Sequence, residues 1–296
     1  MRMKILISGG SGFLGSALSQ ALLVKGHQVS ITSRQPERCK TVEGVNVRYL
    51  ERLTTTDYFD VVINLAGAGI ADQRWSDTRK QALRDSRLET TRALVDWMRN
   101  AIQKPSLFLS GSAIGFYGAQ GETELTETSE PHAEFVHQLC ADWEDTAKIA
   151  EELGVRTVLL RTGVVLHPDG GMLRRVWLPF KMGFGGRLGD GQQWMSWISR
   201  QDWIDAVLFL MQHPTAQGAF NLTAPNPVRN LEFTQTFAES LKRPTLLPMP
   251  TWFVKLAFGE MSALLLDSQR VLPKRLKDAG FVFKHPTLQG ALAEVV

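Results

Sequence analysis

The sequence is short of the side chains that mark several common functions. Two cysteines in 296 residues, Cys39 and Cys140, exclude a disulfide framework and a thiolate metal cluster, and fit a reducing compartment. A formal net charge of +3 leaves no basic footprint for nucleic acid. No stretch approaches the roughly 20 apolar residues of a membrane-spanning helix. The opening MRMKILISGGSGFLG breaks its apolar run with glycines too early for a signal peptide. A soluble, cytoplasmic protein with no nucleic-acid or membrane partner is expected. Tyrosine is scarce as well: Tyr49, Tyr58 and Tyr117 are the only three, so a phenolic catalyst has few places to come from.

What is present is a regular alternation. KILIS (4–8), QVSIT (28–32), VVINLA (61–66), LFLSGS (107–112) and VRTVLLRTG (155–163) read as strands, with helical patterns over 13–25, 76–102 and 133–152 between them. Continuously apolar strands alternating with helices predict an α/β protein, a doubly wound parallel sheet covered on both faces. After residue 165 the texture changes, and 167–193 is glycine-rich with little periodicity. A helix at 201–213 and the strand-like GAFNLT (218–223) bring the chain back to the sheet. The expected division is a cofactor domain over 1–165 with 195–224 returning to it, and a smaller substrate domain from 166–194 and 225–296.

The first strand runs straight into GGSGFLG, with glycines at 9, 12 and 15 ahead of a helix. In that context Gly9 permits a tight turn, Gly12 lets a pyrophosphate approach the backbone, and Gly15 lets helix and sheet close up. Ser11, Phe13 and Leu14 complete the loop, whose helix N-terminus favours an anion. The second strand ends in ITSRQPERCK, with Ser33 and Arg34 at the turn and no acid before Glu37. NAD recognition needs a carboxylate there, whereas an arginine suits a 2′-phosphate, so NADP is the expected cofactor.

These residues resemble the extended short-chain dehydrogenase/reductase superfamily over nearly the whole chain, and more narrowly its atypical subgroup called the epimerase family. ISGGSGFLG, NLAG (64–67) and LRTGVVL (160–166) carry the broader resemblance. LCADWE (139–144), LPFKMGFGGRLGDGQQWMSWI (178–198) and LPKRLKDAGFVF (272–283) carry the narrower one. The resemblance implies cofactor contacts from Leu65, Ala66, Gly67, Ser110 and Arg161, and a substrate-binding role for Ser112. It also leaves a homodimer open, since some members pair through helices corresponding to 76–102 and 133–152.

The superfamily's Tyr-x-x-x-Lys is missing. Aligned on Glu144, its tyrosine position holds Val136 and its lysine position Cys140, and the residues four beyond the three tyrosines are Leu53, Val62 and Gly121. On a helical wheel Val136, Leu139, Cys140, Trp143 and Ala147 share one face, with His137 and Glu144 at its edge. Cys140 then reads either as a small buried hydrophobe or as a thiol that donates a proton or attacks a substrate. Tyr117 reads either as a catalytic phenol or as a packed aromatic.

Arg87 falls inside the apolar stripe Leu83, Thr90, Thr91, Leu94 and Met98, where a guanidinium is costly unless paired. It reads as a ligand for cofactor phosphate or substrate carboxylate, or as half of a buried ion pair. Met195 stands where sugar-nucleotide epimerases have an arginine, with Arg174, Arg175, Lys181 and Arg187 nearby. Hydride chemistry on a small carbonyl or hydroxyl substrate is the expected function, as net reduction or an epimerase-type cycle, with Ser112 orienting the substrate oxygen and Cys140, Tyr117 or a water held by Arg87 managing the proton. A non-catalytic NADP(H)-binding sensor is the alternative.

Overall fold

The computed structural model describes residues 2–33, 39, 42–245 and 247–296. Its strands are β1 (Lys4–Ser8), β2 (Gln28–Thr32), β3 (Asn46–Arg48), β4 (Val61–Asn64), β5 (Leu107–Ala113), β6 (Glu124–Leu125), β7 (Arg156–Thr162), β8 (Val164–Leu166), β9 (Trp194–Met195), β10 (Trp197–Ser199), β11 (Gly218–Leu222), β12 (Val228–Arg229) and β13 (Arg270–Val271). The helices are α1 (Phe13–Val24), α2 (Asp77–Asn100), α3 (Phe135–Lys148), α4 (Gly171–Lys181), α5 (Arg200–Gln212), α6 (Asn230–Ser240), α7 (Thr251–Phe258), α8 (Ala263–Leu266), α9 (Lys274–Asp278) and α10 (Leu288–Ala293).

Seven strands form one parallel sheet in the order β11-β7-β5-β4-β1-β2-β3. Strand order reverses between β1 and β4, and ligands of open α/β sheets bind at such a reversal, beyond the strands' carboxyl ends. Both faces are covered, so the central strands are buried without alternation: Ile5, Leu6 and Ile7 are all 0% exposed. On one face α1 and α5 pack over Ile5, Ile7, Ile31 and Ile63. On the other, α2 and α3 pack over Leu6, Val62, Phe108 and Leu159. The doubly wound α/β expectation is met. Among the described residues no helix is long and apolar enough to cross a membrane.

Beyond the sheet, Leu173 and Phe180 of α4, Phe233 and Phe237 of α6, Leu288 and Leu292 of α10, and Trp197 form a separate smaller core. The sequence reading missed α4. Pro179 near its end and glycines on both sides hide a helix whose apolar residues face α6. Three short ladders, β8 with β10, β9 with β12 and β6 with β13, stitch this part to the sheet. Asp202 fastens the C-terminal tail: it is 0% exposed and accepts the backbone N–H groups of Lys284 at 2.6 Å and His285 at 3.0 Å.

The glycine loop is set by close approach. Gly9 has φ +77°, and a Cβ on it would lie 2.7 Å from the carbonyl of Leu65. A Cβ on Gly15 would fall 2.2 Å from the Gly9 oxygen, so α1 can meet the loop only through a bare backbone. Gly15→Ala therefore forces backbone apart. A loss of about 1–3 kcal/mol is expected, read as a lower urea midpoint at unchanged slope. An unshifted midpoint would show that the loop yields freely.

Candidate functional site

Four segments meet at the carboxyl ends of the central strands: the glycine loop after β1, residues 65–69 after β4, the end of β5, and α3 lying over it. Ser11, Gly12 and Gly67 are exposed, whereas Gly9, Leu65 and Ala66 are half-buried where the first two segments touch. A Cβ on Gly12 would meet only the Gly9 oxygen, at 3.2 Å, so the surface above it is open. No side chain caps α1, whose first turn carries no acid. This combination, open backbone at an uncapped helix N-terminus, fits a dinucleotide's pyrophosphate. Phe13 turns away from the loop against Gly170 and His167, and Leu14 joins the sheet core. The Ser33 N–H donates to the Arg48 carbonyl at 2.9 Å. Arg34, which carries the NADP expectation, lies outside the described residues.

The end of β5 is organised by a residue that the sequence reading left at the margin. Glu144 is 0% exposed and joins three elements. Its Oε1 accepts from Ser112 Oγ at 2.7 Å and from Arg161 Nε at 2.8 Å, and its Oε2 from Arg161 Nη2 at 2.8 Å. This is the planar two-pronged arginine–carboxylate geometry. Burial alone would lower the Arg161 pKa, but hydrogen bonding to Glu144 holds it above the ordinary value. The signal was a glutamate beside an otherwise apolar helical face, with an arginine among the apolar residues of β7.

Three expected roles need correction. Arg161 is not free for a cofactor: it is 5% exposed, lies 3.4 Å from the centre of the Phe116 ring, and its remaining nitrogen donates to Tyr117 Oη at 3.0 Å. Tyr117 is not a catalytic phenol. The short turn Ile114–Tyr117 folds it inward to 0% exposure, where it donates to Asn221 Oδ1 at 2.7 Å, and burial pushes its pKa up to about 12. Ser110 lies inside the sheet between Asn64 and Leu159 at 0% exposure, so its hydroxyl reaches no cofactor.

Cys140 is 5% exposed, with Gly115 packed close to its sulfur. Burial, aided by the Glu144 charge, pushes the thiol up to about 11. It is protonated at neutral pH, which removes the nucleophile from the expected roles, since attack needs the thiolate. Val136 packs beside it at 7% exposure, so the face that lacks tyrosine and lysine does point inward.

Arg87 is half-buried on α2. Its Nη1 donates to the Leu83 carbonyl at 2.9 Å and its guanidinium lies 5.2 Å from the Trp143 ring centre. Its side chain covers Gly67 so closely that a Cβ there would sit 3.2 Å from its Cζ. Among the described residues it forms no ion pair, contrary to the buried-pair reading. The neighbouring network is polar yet complete: Thr91 Oγ1 accepts from Asn64 at 2.8 Å and from Trp143 at 3.0 Å, and donates to the Arg87 carbonyl at 2.7 Å.

Comparison with known proteins agrees with this architecture. The family model described as "NAD dependent epimerase/dehydratase family" matches residues 5–223, and one described as a domain of unknown function, DUF1731, matches 249–295. An epimerase family protein of Mycobacterium bovis is 42% identical over 291 residues, covering 97% of this chain and 96% of that one. The crystal structure of the human epimerase family protein SDR39U1 with NADPH is 32% identical, covers 99% of both chains, and superposes with a TM-score of 0.90. A UDP-glucose 4-epimerase from Thermotoga maritima, at 19% identity, 99% and 97% coverage and a TM-score of 0.81, shares the fold. The chain belongs to the NAD dependent epimerase/dehydratase family of short-chain dehydrogenase/reductase type, with the DUF1731 segment at its C-terminal end.

Proposed function

We propose that this protein binds NADP(H) and catalyses hydride chemistry on a small hydroxyl or carbonyl substrate, as net oxidoreduction or an epimerase-type cycle. The observation that carries this reading is the placement of Ser112, at the end of β5, on the same crevice as the open glycine loop. Gly9, Ser11, Gly12 and the first turn of α1 hold the pyrophosphate, and Leu65–Gly67 flank it. Arg34 selects the 2′-phosphate. The NADPH bound by the human relative supports that assignment.

The bound nicotinamide supplies the hydride donor or acceptor. The protein's own residues handle the oxygen. Ser112, 5% exposed, donates its proton to Glu144, which leaves its oxygen lone pairs as acceptors for the hydroxyl of an alcohol substrate. Glu144 is held by Arg161 and stays fixed while Ser112 orients the substrate oxygen. Cys140, a thiol rather than a thiolate, is a protonated side chain on the inner face of α3.

Absence of the Tyr-x-x-x-Lys pair from α3 favours the sensor reading as the second choice. The two separate when protein loaded with NADPH, and in parallel with NADP⁺, is given a small-metabolite extract and cofactor absorbance is followed with product masses. Hydride chemistry oxidises NADPH and adds two hydrogens to one metabolite, reduces NADP⁺ and removes two, or, starting from NADP⁺, yields a new isomer with no net change. Neither outcome occurs for a sensor. Once a substrate is found, Ser112→Ala lowers turnover roughly 10²-fold or more. The variant still folds, since Glu144 keeps Arg161, and NADPH affinity is unchanged. Unaltered turnover would remove Ser112 from the chemistry.

Cofactor choice gives a separate test. Arg34→Ala weakens NADPH by roughly tenfold or more, the loss of a charge-assisted bond, and leaves NADH binding nearly unchanged. Equal losses for both would show that Arg34 reads no phosphate.

A further inference from the structure

Charge and apolar surface are both unevenly spread along this chain. Between Asp169 and Asp190 stand Arg174, Arg175, Lys181 and Arg187, with no acid among them. Between Glu239 and Glu260 stand Lys242, Arg243 and Lys255, again with no acid. The net charge of +3 conceals this local excess, because acids elsewhere offset it. Of these cations only Arg175 forms an ion pair among the described residues, with Asp72 at 2.6 Å. The same two segments hold most of the large exposed apolar side chains. Leu178, Met182, Phe184, Leu247, Trp252 and Leu256 are each between 57% and 68% exposed.

The fold gathers these side chains onto one surface. Leu178 and Met182, one turn apart, share the outer side of α4 with Arg174 and Arg175, since Leu173 and Phe180 are turned in toward α6. Just past α4 the chain runs beside the segment that leads into α7. Gly183 lies against Pro244, a Cβ on Gly186 would fall on the Leu247 carbonyl, and the Met249 N–H donates to the Arg187 carbonyl at 2.8 Å. Then comes α7, with Trp252, Lys255 and Leu256 exposed and Val254 buried on its inner side. That helix is tied down. Arg74 donates to the carbonyls of Leu256 and Ala257, and Lys80 pairs with Glu260 just beyond.

Neighbouring apolar side chains of this size on a surface mark a docking site, and their cationic setting selects the partner. A second copy meeting this face across a two-fold axis would set like charges opposite each other. Protein interfaces are also depleted of lysine, whereas Lys255 stands between Trp252 and Leu256. A lipid surface with anionic headgroups satisfies both halves. Trp, Phe and Leu side chains enter the boundary of headgroup and acyl chain, while Lys and Arg keep their charges among the phosphates. We propose that the face built from α4, α7 and the segments around Phe184 and Leu247 docks on an anionic lipid surface. It lies on that surface rather than across it: among the described residues no helix is long and apolar enough to cross a membrane. Peripheral docking needs neither such a helix nor a high net charge, the two features whose absence spoke against a membrane partner. The proposal is independent of the hydride reading.

Sedimentation of the full chain with vesicles tests this, using phosphatidylcholine alone and equal parts phosphatidylcholine and phosphatidylglycerol. The anionic vesicles should bind it roughly tenfold or more tighter than the neutral ones, and added salt should erode that preference. Trp252→Ala combined with Leu256→Ala should weaken anionic binding roughly tenfold or more, the loss of two side chains buried in the lipid boundary. Lys181→Gln combined with Lys242→Gln should cut the anionic preference several-fold and leave neutral binding alone. Thermal melts of both variants should coincide with that of the unaltered protein, because the substituted side chains are exposed. No binding, equal binding to the two vesicles, or undiminished binding by the Trp252 and Leu256 variant overturns the proposal. So does a dimer in light scattering that this variant dissociates while vesicles go unbound, which gives the face to a second copy.

Discussion

A buried carboxylate with three hydrogen-bonding donors on it holds the centre of this molecule. Glu144 comes from α3, Arg161 from β7 and Ser112 from β5, and among the described residues no other ion pair ties the helix to both strands. Burying such a pair costs several kcal/mol of desolvation per ion, recovered only through good geometry. Here both carboxylate oxygens are occupied, and Arg161 spends its third nitrogen on Tyr117. The network extends through Asn221 on β11 and reaches the carbonyl of Leu272 beside β13. Ser112, the altered helix and the C-terminal part of the chain are therefore positioned by one connected set of polar contacts.

This arrangement answers what becomes of a helix that lacks both residues its superfamily uses for acid–base work. Val136 and Cys140 seal the inner face as apolar groups, with Gly115 too close to admit a side chain without adjustment. The face is not merely vacated. Trp143 and Glu144, one turn on, bind Thr91 and Ser112, so α3 still sets the geometry at the end of β5. Charge enters instead from α2, through Arg87.

How much of this the sequence disclosed depended on the range of the determining interaction. Strand and glycine-loop assignments rest on local patterns, and β1, β2, β4, β5 and β7 fall within a residue or two of expectation. Helix α4 was hidden because its local signal is broken by Pro179 and its amphipathic face is defined only by α6. Tyr117 and Arg161 looked functional because a polar tip in an apolar stretch reads the same whether a ligand or the protein satisfies it. Only the fold shows that Asn221, 104 positions away in sequence, takes the Tyr117 proton. Arg87 was legible as an anomaly, and what the sequence could not supply was the missing carboxylate partner.

The central claim is that the Glu144–Arg161 pair holds the crevice together rather than acting as catalytic charge. A double-mutant cycle in urea tests it most directly. Glu144→Gln and Arg161→Gln should each cost about 3–5 kcal/mol by stranding a buried charge. The double variant should cost well less than the sum, because neither charge is then left alone. Single losses under about 1 kcal/mol, as exposed pairs give, or losses that simply add, would contradict the account.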